Sequence, residues 1–235
     1  MIMQRWHHQK EEWGKFVDIR INVPELLRKE IRNKENLDIY ISSMTDPYQP
    51  VEEKYQITRK ALEILLEREK SEIFPSKIFI TIQTKSSLVL RDIDLLKEFK
   101  NITVGLTITT LSEEWSKTFE PNASIPSERL KALQTFNEEK IRTYAFIGPI
   151  LPHVSDNFES LFAIVKEIEK TGNKRVIFDS LNYFPNLKRL KKKTLELSIY
   201  DEFRAYENPG KLADLRKILE KLSIEFPGLD FDILF

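Results

Sequence analysis

The sequence contains no cysteine. That removes disulfides, thiolate nucleophiles and thiolate metal sites together. Three histidines remain as imidazole ligands; His7 and His8 are neighbours near the start, and neither they nor any other residue is assigned as a metal ligand or a catalytic group. Glycine is scarce, at six in 235 residues. No GxGxxG follows a strand-like run and no GxxxxGK[ST] occurs, which argues against a dinucleotide-binding or P-loop sheet. Apolar runs fall far short of the about 18 residues of a membrane span. The opening "MIMQRWHHQKEEW" has no apolar signal core, so a cytoplasmic chain is the expectation. Neither sign of charge is in excess: 37 Lys and Arg balance 37 Asp and Glu. No global field therefore draws the chain to nucleic acid or to a membrane.

Alternating strand and helix patterns fill the chain. Strand-like runs are "FVDIRIN" (16–22), "LDIYISS" (37–43), "KIFITIQTK" (77–85), "ITVGLTITT" (102–110), "IRTYAFIGPI" (141–150) and "RVIFDSLN" (175–182). Between them lie helical patterns. One is capped by Asn22 with Glu25 in the capping-box position. A second starts near Pro50 with Glu52 and Glu53 in its first turn. Others surround "RDIDLLKEF" and "RLKALQTF", and one over 155–172 is capped near Ser155 or Asp156 and stopped by Gly172. Strand–helix repeats of this kind imply a parallel sheet, and a full or partial TIM-like barrel fits it. A bias to Ile, Lys and Glu is the composition of a thermophile. In the last 28 residues an amphipathic helix with Leu212, Leu215, Leu219 and Leu222 on one face precedes a short apolar tail. It is expected to cover the open side of the barrel, or its tail to mark an oligomer contact.

Chemistry in such barrels sits at the carboxyl ends of the strands. Those ends carry Ser43, Thr45 and Asp46; Lys85; Thr107, Thr109 and Thr110; His153; and Asp179, Ser180 and Asn182. One cation, carboxylates and hydroxyls suit a small zwitterionic ligand. Each residue also has a plainer reading. Lys85 can solvate a strand end, and Thr107 and Thr109 can pack as β-branched strand residues. Thr45 and Asp46 can form an Asx or ST turn before proline. His153 reads as a surface residue, and Asp179 as an ion-pair partner of Arg175.

Four stretches, "TDPYQPVEEKYQITRKALEILLE", "TKSSLVLRDIDLL", "ITTLSEEWSKTFEPNASIPSERLKAL" and "GPILPHVSDN", resemble the spore photoproduct lyase-like (DNA repair photolyase-like) group of radical S-adenosylmethionine (SAM) enzymes. "WGKFVDIRINVPELLRKE" resembles the segment just after that group's cysteine motif, and the likeness runs from about Trp13 to Asn182. It implies a partial TIM-like (β/α)6 barrel of radical SAM type, without the first strand and the cluster loop, over residues 1–185. A C-terminal helical extension over 186–235 would pack on it. By the same resemblance Thr45, Lys85 and Thr107 match ligand-binding Ser, Lys and Ser positions, and Asp46 and Thr109 join them in the S-adenosylmethionine site. Ser43 lies where spore photoproduct lyase carries a hydrogen-donating Cys, and a serine O–H is too strong a bond for that role.

The resemblance also implies a [4Fe–4S] cluster on CxxxCxxC, and thiolates are its usual ligands. This chain starts about where that motif ends. Three explanations stand: a piece of a longer frame, a cysteine segment on a separate polypeptide, or a cluster-less relative. Two functions follow: the adenosylmethionine-binding barrel of a radical repair-type lyase, or a non-catalytic module for a nucleotide, nucleic acid or protein. Lys191, Lys192 and Lys193 form a local basic run that suits a phosphate backbone, and a missing first strand leaves a sheet edge for a partner or a second copy.

Overall fold

The computed structural model describes residues 16–42, 45–71, 77–181, 187–206 and 208–235. Six strands form one open sheet in chain order: β1 (Asn36–Ile41), β2 (Lys77–Thr84), β3 (Ile102–Thr107), β4 (Arg142–Ile150), β5 (Arg175–Ser180) and β6 (Asp230–Ile233). Every neighbouring pair is parallel. Parallel neighbours need a crossover, and helices supply each one. The chain thus takes the partial-barrel α/β fold expected of it, with β1 and β6 as free edges among the described residues.

Two strands differ from the sequence reading. Residues 16–20 are irregular and 21–22 turn into α1 (Val23–Ile31). Val17 and Ile21 are 52% and 70% exposed, while Phe16 and Ile19 are half-buried, and the run forms no strand ladder. The sixth strand is instead the apolar tail: β6 pairs with β5 from Arg175↔Asp230 to Phe178↔Ile233. α10 (Pro209–Glu225) is therefore the crossover that leads into β6, lying against α7 (Phe158–Lys170). Leu215, Leu219 and Leu222 are buried and Leu212 is half-buried.

Local chemistry sets the helix boundaries. The pattern that starts near Pro50 is two helices, α2 (Glu52–Tyr55) and α3 (Ile57–Glu69), broken by Gln56 at φ 53°. The first amides of α3 have no intrahelical partner. The Glu52 carboxylate accepts three of them, from Ile57 (2.9 Å), Thr58 (3.0 Å) and Arg59 (3.3 Å). After β2, a 3-10 turn (Ser87–Asp92) runs into α4 (Ile93–Leu96). After β3 come α5 (Glu113–Phe119), capped by Ser112, and α6 (Pro126–Glu138). α7 is capped by Asn157, one residue beyond the expected pair, whose side chain accepts the Ser160 amide at 2.8 Å.

Alternation along each strand separates two faces. Ile78, Ile80 and Ile82 of β2, Val104 and Leu106 of β3 and Val176 and Phe178 of β5 face the helices and are at most 2% exposed. Each such side chain contributes about 1.5–3 kcal/mol on burial. The opposite, concave face is open at the β1 edge, where Tyr40 and Phe79 are 50% and 41% exposed, and closed at the centre, where Tyr144 is 4% exposed. α8 (Leu187–Glu196) and α9 (Tyr200–Ala205) belong to a second, smaller core at the carboxyl ends of the strands. There Ile199 and Phe203 pack with Leu151 and Val154, against Trp115 and Phe119.

Candidate functional site

β1, β2, β3 and β5 deliver polar residues at their carboxyl ends, where barrel chemistry sits. Asp46 lies in the loop leaving β1. Its Oδ1 accepts the Thr84 hydroxyl (2.6 Å) and the Tyr48 amide (2.8 Å), and its Oδ2 accepts the Lys85 amide (2.7 Å). The Tyr48 bond is the Asx turn allowed by the plainer reading. The other two tie the β1 exit to the end of β2, so Asp46 fixes the main chain from which Lys85 projects. Pro47 joins in: its carbonyl accepts the Thr58 hydroxyl at 2.7 Å.

Lys85 follows the last residue of β2. Its Nζ lies 2.6 Å from Glu120 Oε1, and its side chain is 33% exposed. Glu120 Oε1 also accepts the Thr109 hydroxyl at 3.1 Å. Glu120 Oε2 lies 2.6 Å from Arg129 Nη2, an ionic contact without hydrogen-bond alignment. Arg129 is 1% exposed and donates to the Ser124 carbonyl (2.7 Å), the Thr107 carbonyl (3.0 Å) and the Ser116 hydroxyl (3.3 Å). Burial pushes the Glu120 carboxyl upward, but Lys85 and Arg129 outweigh it and hold the group below its ordinary value. Glu120 is thus a buried anion between two cations, and Lys85 keeps ammonium protons on its solvent side.

Beneath the rim, Gln83 organises the concave face. Its Oε1 accepts the hydroxyls of Tyr40 (2.7 Å) and Tyr144 (2.9 Å), and its Nε2 donates to Thr107 Oγ1 at 3.4 Å. Tyr144 reaches Gln83 from β4 by lying across β3 at Gly105, where a Cβ would stand 2.1 Å from the ring. Burial pushes the Tyr144 phenol upward, and Tyr40 adds to it.

Four of the five predicted residues therefore meet: Asp46 through the Lys85 amide, Lys85 and Thr109 through Glu120, and Thr107 through Arg129 and Gln83. Thr45 is exposed and stands apart from this network. Thr110 accepts the Ser112 amide at 3.1 Å. His153 lies on the surface, 3.6 Å from Glu202. Asp179 does not pair with Arg175, which instead binds Asp232 at 2.6 Å; burial pushes the Asp179 carboxyl upward. Ser43, Asn182, His7 and His8 lie outside the described residues. Sequence reasoning missed Glu120 and Arg129. Their signal is two opposite charges nine residues apart inside "FEPNASIPSER", and nothing in the linear order says that they converge.

An open, all-parallel six-stranded sheet with helical crossovers and polar side chains gathered at the carboxyl ends of β1 to β3 defines the class: an α/β partial barrel. The chain belongs to the radical SAM superfamily, whose model matches residues 4–163. It is similar to an uncharacterised protein of Methanocaldococcus jannaschii, 38% identical over 156 residues, 66% of this chain and 55% of that protein. It is also similar to an uncharacterised protein of Acidianus two-tailed virus, 32% identical over 176 residues, 72% of this chain and 55% of that protein. The chain spans about half the length of these relatives. In fold it resembles a point mutant of spore photoproduct lyase, with a TM-score of 0.63 at 14% identity, over 92% of this chain and 67% of that one. Streptococcus suis SuiB bound to S-adenosylmethionine gives 0.59 at 16% identity, over 94% and 45%.

A [4Fe–4S] cluster is held by thiolates, and this sequence has none. Among the described residues no group of three or more His, Asp or Glu side chains is placed to hold a metal ion. The donor set does not fit the cluster, so no reductive cleavage of adenosylmethionine follows from these residues. No helix among them is long and apolar enough to cross a membrane.

Proposed function

We propose that the rim at the carboxyl ends of β1 to β3 binds S-adenosylmethionine. The carrying observation is Lys85, held by Asp46 at its main chain and by Glu120 on one side of its ammonium, with donors left on the other. Such a group receives a ligand carboxylate by charge-assisted hydrogen bonds. Thr107 and Thr109, both buried, set the wall beside it through Gln83 and Glu120, and Thr45, on the exposed lip, offers a hydroxyl. Asp46 acts through the Lys85 backbone rather than as a free acceptor. SuiB, which shares the fold, was solved with S-adenosylmethionine bound, and this supports the reading. The likeness to spore photoproduct lyase supports repair-type radical chemistry on DNA, on condition that three thiolates are supplied to the site. Lys191 and Lys192, exposed on α8, with the half-buried Lys193, then form a basic face for the DNA backbone.

Calorimetry tests the site without the cluster. S-adenosylmethionine should bind the chain, and Lys85→Met should weaken binding about tenfold or more. No heat at millimolar ligand sinks the reading. A second reading is favoured by the cysteine-free composition: a non-catalytic module whose free β1 edge takes a partner. A sizing column showing a monomer both alone and with host lysate counts against it.

A further inference from the structure

The opposite end of the sheet carries a second cationic site. Between the amino-terminal ends of β3 and β4 lies a cavity of about 380 Å³, large enough for a small ligand. Leu96, Phe99, Ile102 and Ile141 floor it. Lys97, Lys100, Lys140 and Arg142 rim it, against one carboxylate, Glu139. Glu139 is occupied by Lys97 at 2.5 Å. The neighbouring acids are also engaged: Glu98 by Lys70 at 2.6 Å, and Glu69 by the Lys100 amide at 3.1 Å. Arg142 is held toward the site by its bonds to the Ile102 and Lys100 carbonyls at 3.3 and 3.5 Å. Lys100 and Lys140 are exposed, and among the described residues no carboxylate pairs with either ammonium.

The backbone makes a concession here. α6 ends in a turn in which the Ile141 amide bonds the Phe136 carbonyl (2.9 Å) and the Lys140 amide bonds that of Asn137 (3.0 Å). This is the motif whose left-handed residue is usually glycine. α7 obeys the rule with Gly172 at φ 81°, whereas α6 places Lys140 there at φ 61°. A long cation in a glycine position, at the lip of a cationic cavity, is a local choice against stability, of the kind that gathers at binding sites.

We propose that this cavity binds the phosphate group of an organic anion, with Lys100, Lys140 and Arg142 as its donors and the apolar floor against the ligand's body. β3 rises by about 3.3 Å per residue, which separates the cavity from the Lys85 rim by roughly 20 Å. The two sites are independent.

Pyrophosphate and a short single-stranded oligonucleotide, each titrated into the intact chain at low salt, test this. Pyrophosphate is expected to bind a site that weakens about tenfold or more in the Lys100→Ala/Lys140→Gly variant, while Lys85→Ala leaves that site unchanged. Lys140→Gly alone is expected to melt at or slightly above the parent, since the turn prefers glycine; that excludes misfolding as the cause of any lost binding. If the oligonucleotide binds and pyrophosphate does not, with a salt dependence that shrinks in the double variant, the phosphate belongs to a nucleic-acid backbone. Binding of both probes unchanged in the double variant, or of neither to the parent, overturns the proposal.

Discussion

Two buried charge clusters flank the end of β2, and they are built differently. One joins α2 and α3 to the 3-10 turn. There Asp92, fully buried, accepts from Arg59 (3.0 Å), from Arg91 (2.8 and 2.9 Å) and from the Tyr48 hydroxyl (3.1 Å). Glu52 accepts three helix amides and Arg91 at 3.0 Å, and Asp94 accepts from Arg59 at 2.8 Å. With Glu63, 3.4 Å from Arg59 Nε, four carboxylates face two guanidiniums, and each oxygen of the two buried acids has a donor. The other cluster, at the rim, sets one carboxylate, Glu120, against two cations, Lys85 and Arg129, and leaves Oε2 without an aligned hydrogen bond. A saturated cluster has nothing left to offer a ligand and acts as a clamp. A cluster with surplus cation and spare donors can receive an anion. The difference is in stoichiometry, not in residue type.

The largest effect is expected from breaking the clamp. Asp92→Ala leaves Arg59, Arg91 and the Tyr48 hydroxyl around an empty site. Removing one partner of a buried ionic network costs about 3–5 kcal/mol, read as a lowered denaturant midpoint. A loss below about 1 kcal/mol would mean that the clamp holds nothing, and the contrast between the clusters would fail.

Glu120→Gln sharpens the contrast at the rim. Arg129 keeps its bonds to Ser124, Thr107 and Ser116, so the loss is smaller, about 2 kcal/mol near neutrality. Its pH dependence carries a sign. The folded Glu120 carboxyl lies below its ordinary 4.5. Its stabilising contribution is therefore complete above that value and is lost as pH falls through the lower, folded value. The gap in Tm between parent and variant should be constant above about pH 5 and close in acid. A gap that widens in acid would mean that Lys85 and Arg129 do not hold Glu120 ionised.

How much of this was written in the linear order depends on the range of the interaction. β1 to β5 were legible because apolar runs bounded by turns specify buried strands locally. Lys85, Asp46, Thr107 and Thr109 were legible as strand-end residues for the same reason. What failed was non-local. "FVDIRIN" has the alternation of a strand, but a strand needs a ladder and it forms none among the described residues. "LDFDILF" reads as a tail until β5 offers it an edge. The break at Gln56 was hidden because "VEEKYQITRKAL" has helix propensity throughout, and only the folded Glu52 side chain makes two helices out of one. Glu120 and Arg129 were hidden because an ion pair is a property of two positions, and only their meeting at the β2 and β3 ends makes it a site.

Gly105→Ala asks whether the rim depends on the face below it. An added Cβ meets the Tyr144 ring at 2.1 Å, so the ring must leave its place over β3 and its bond to Gln83. Overpacking of this kind costs about 1–3 kcal/mol. The clamp, on the helix side of the sheet, should be unaffected, whereas Thr107, bonded to Gln83, should move. S-adenosylmethionine affinity is then expected to fall by more than the loss of stability explains. Affinity unchanged in a folded Gly105→Ala variant would separate the rim from the concave face.

The smallest effect sets the second carboxylate of the mouth against the first. Asp179 sits at the end of β5, and burial raises it above its ordinary 3.8, while its neighbours supply no cation to reverse the shift. Glu120, more deeply buried, is lowered because two cations face it. Opposite directions at one rim follow from the partners alone. A carboxyl raised on folding is destabilising when ionised, so the penalty is full above the folded value and vanishes at and below the ordinary one. Asp179→Asn should thus raise Tm slightly at neutral pH and not at all in strong acid, the reverse of Glu120→Gln. If Asp179→Asn instead lowers Tm at neutral pH, Asp179 has a cationic partner in solution. The contrast between the two carboxylates would then fail.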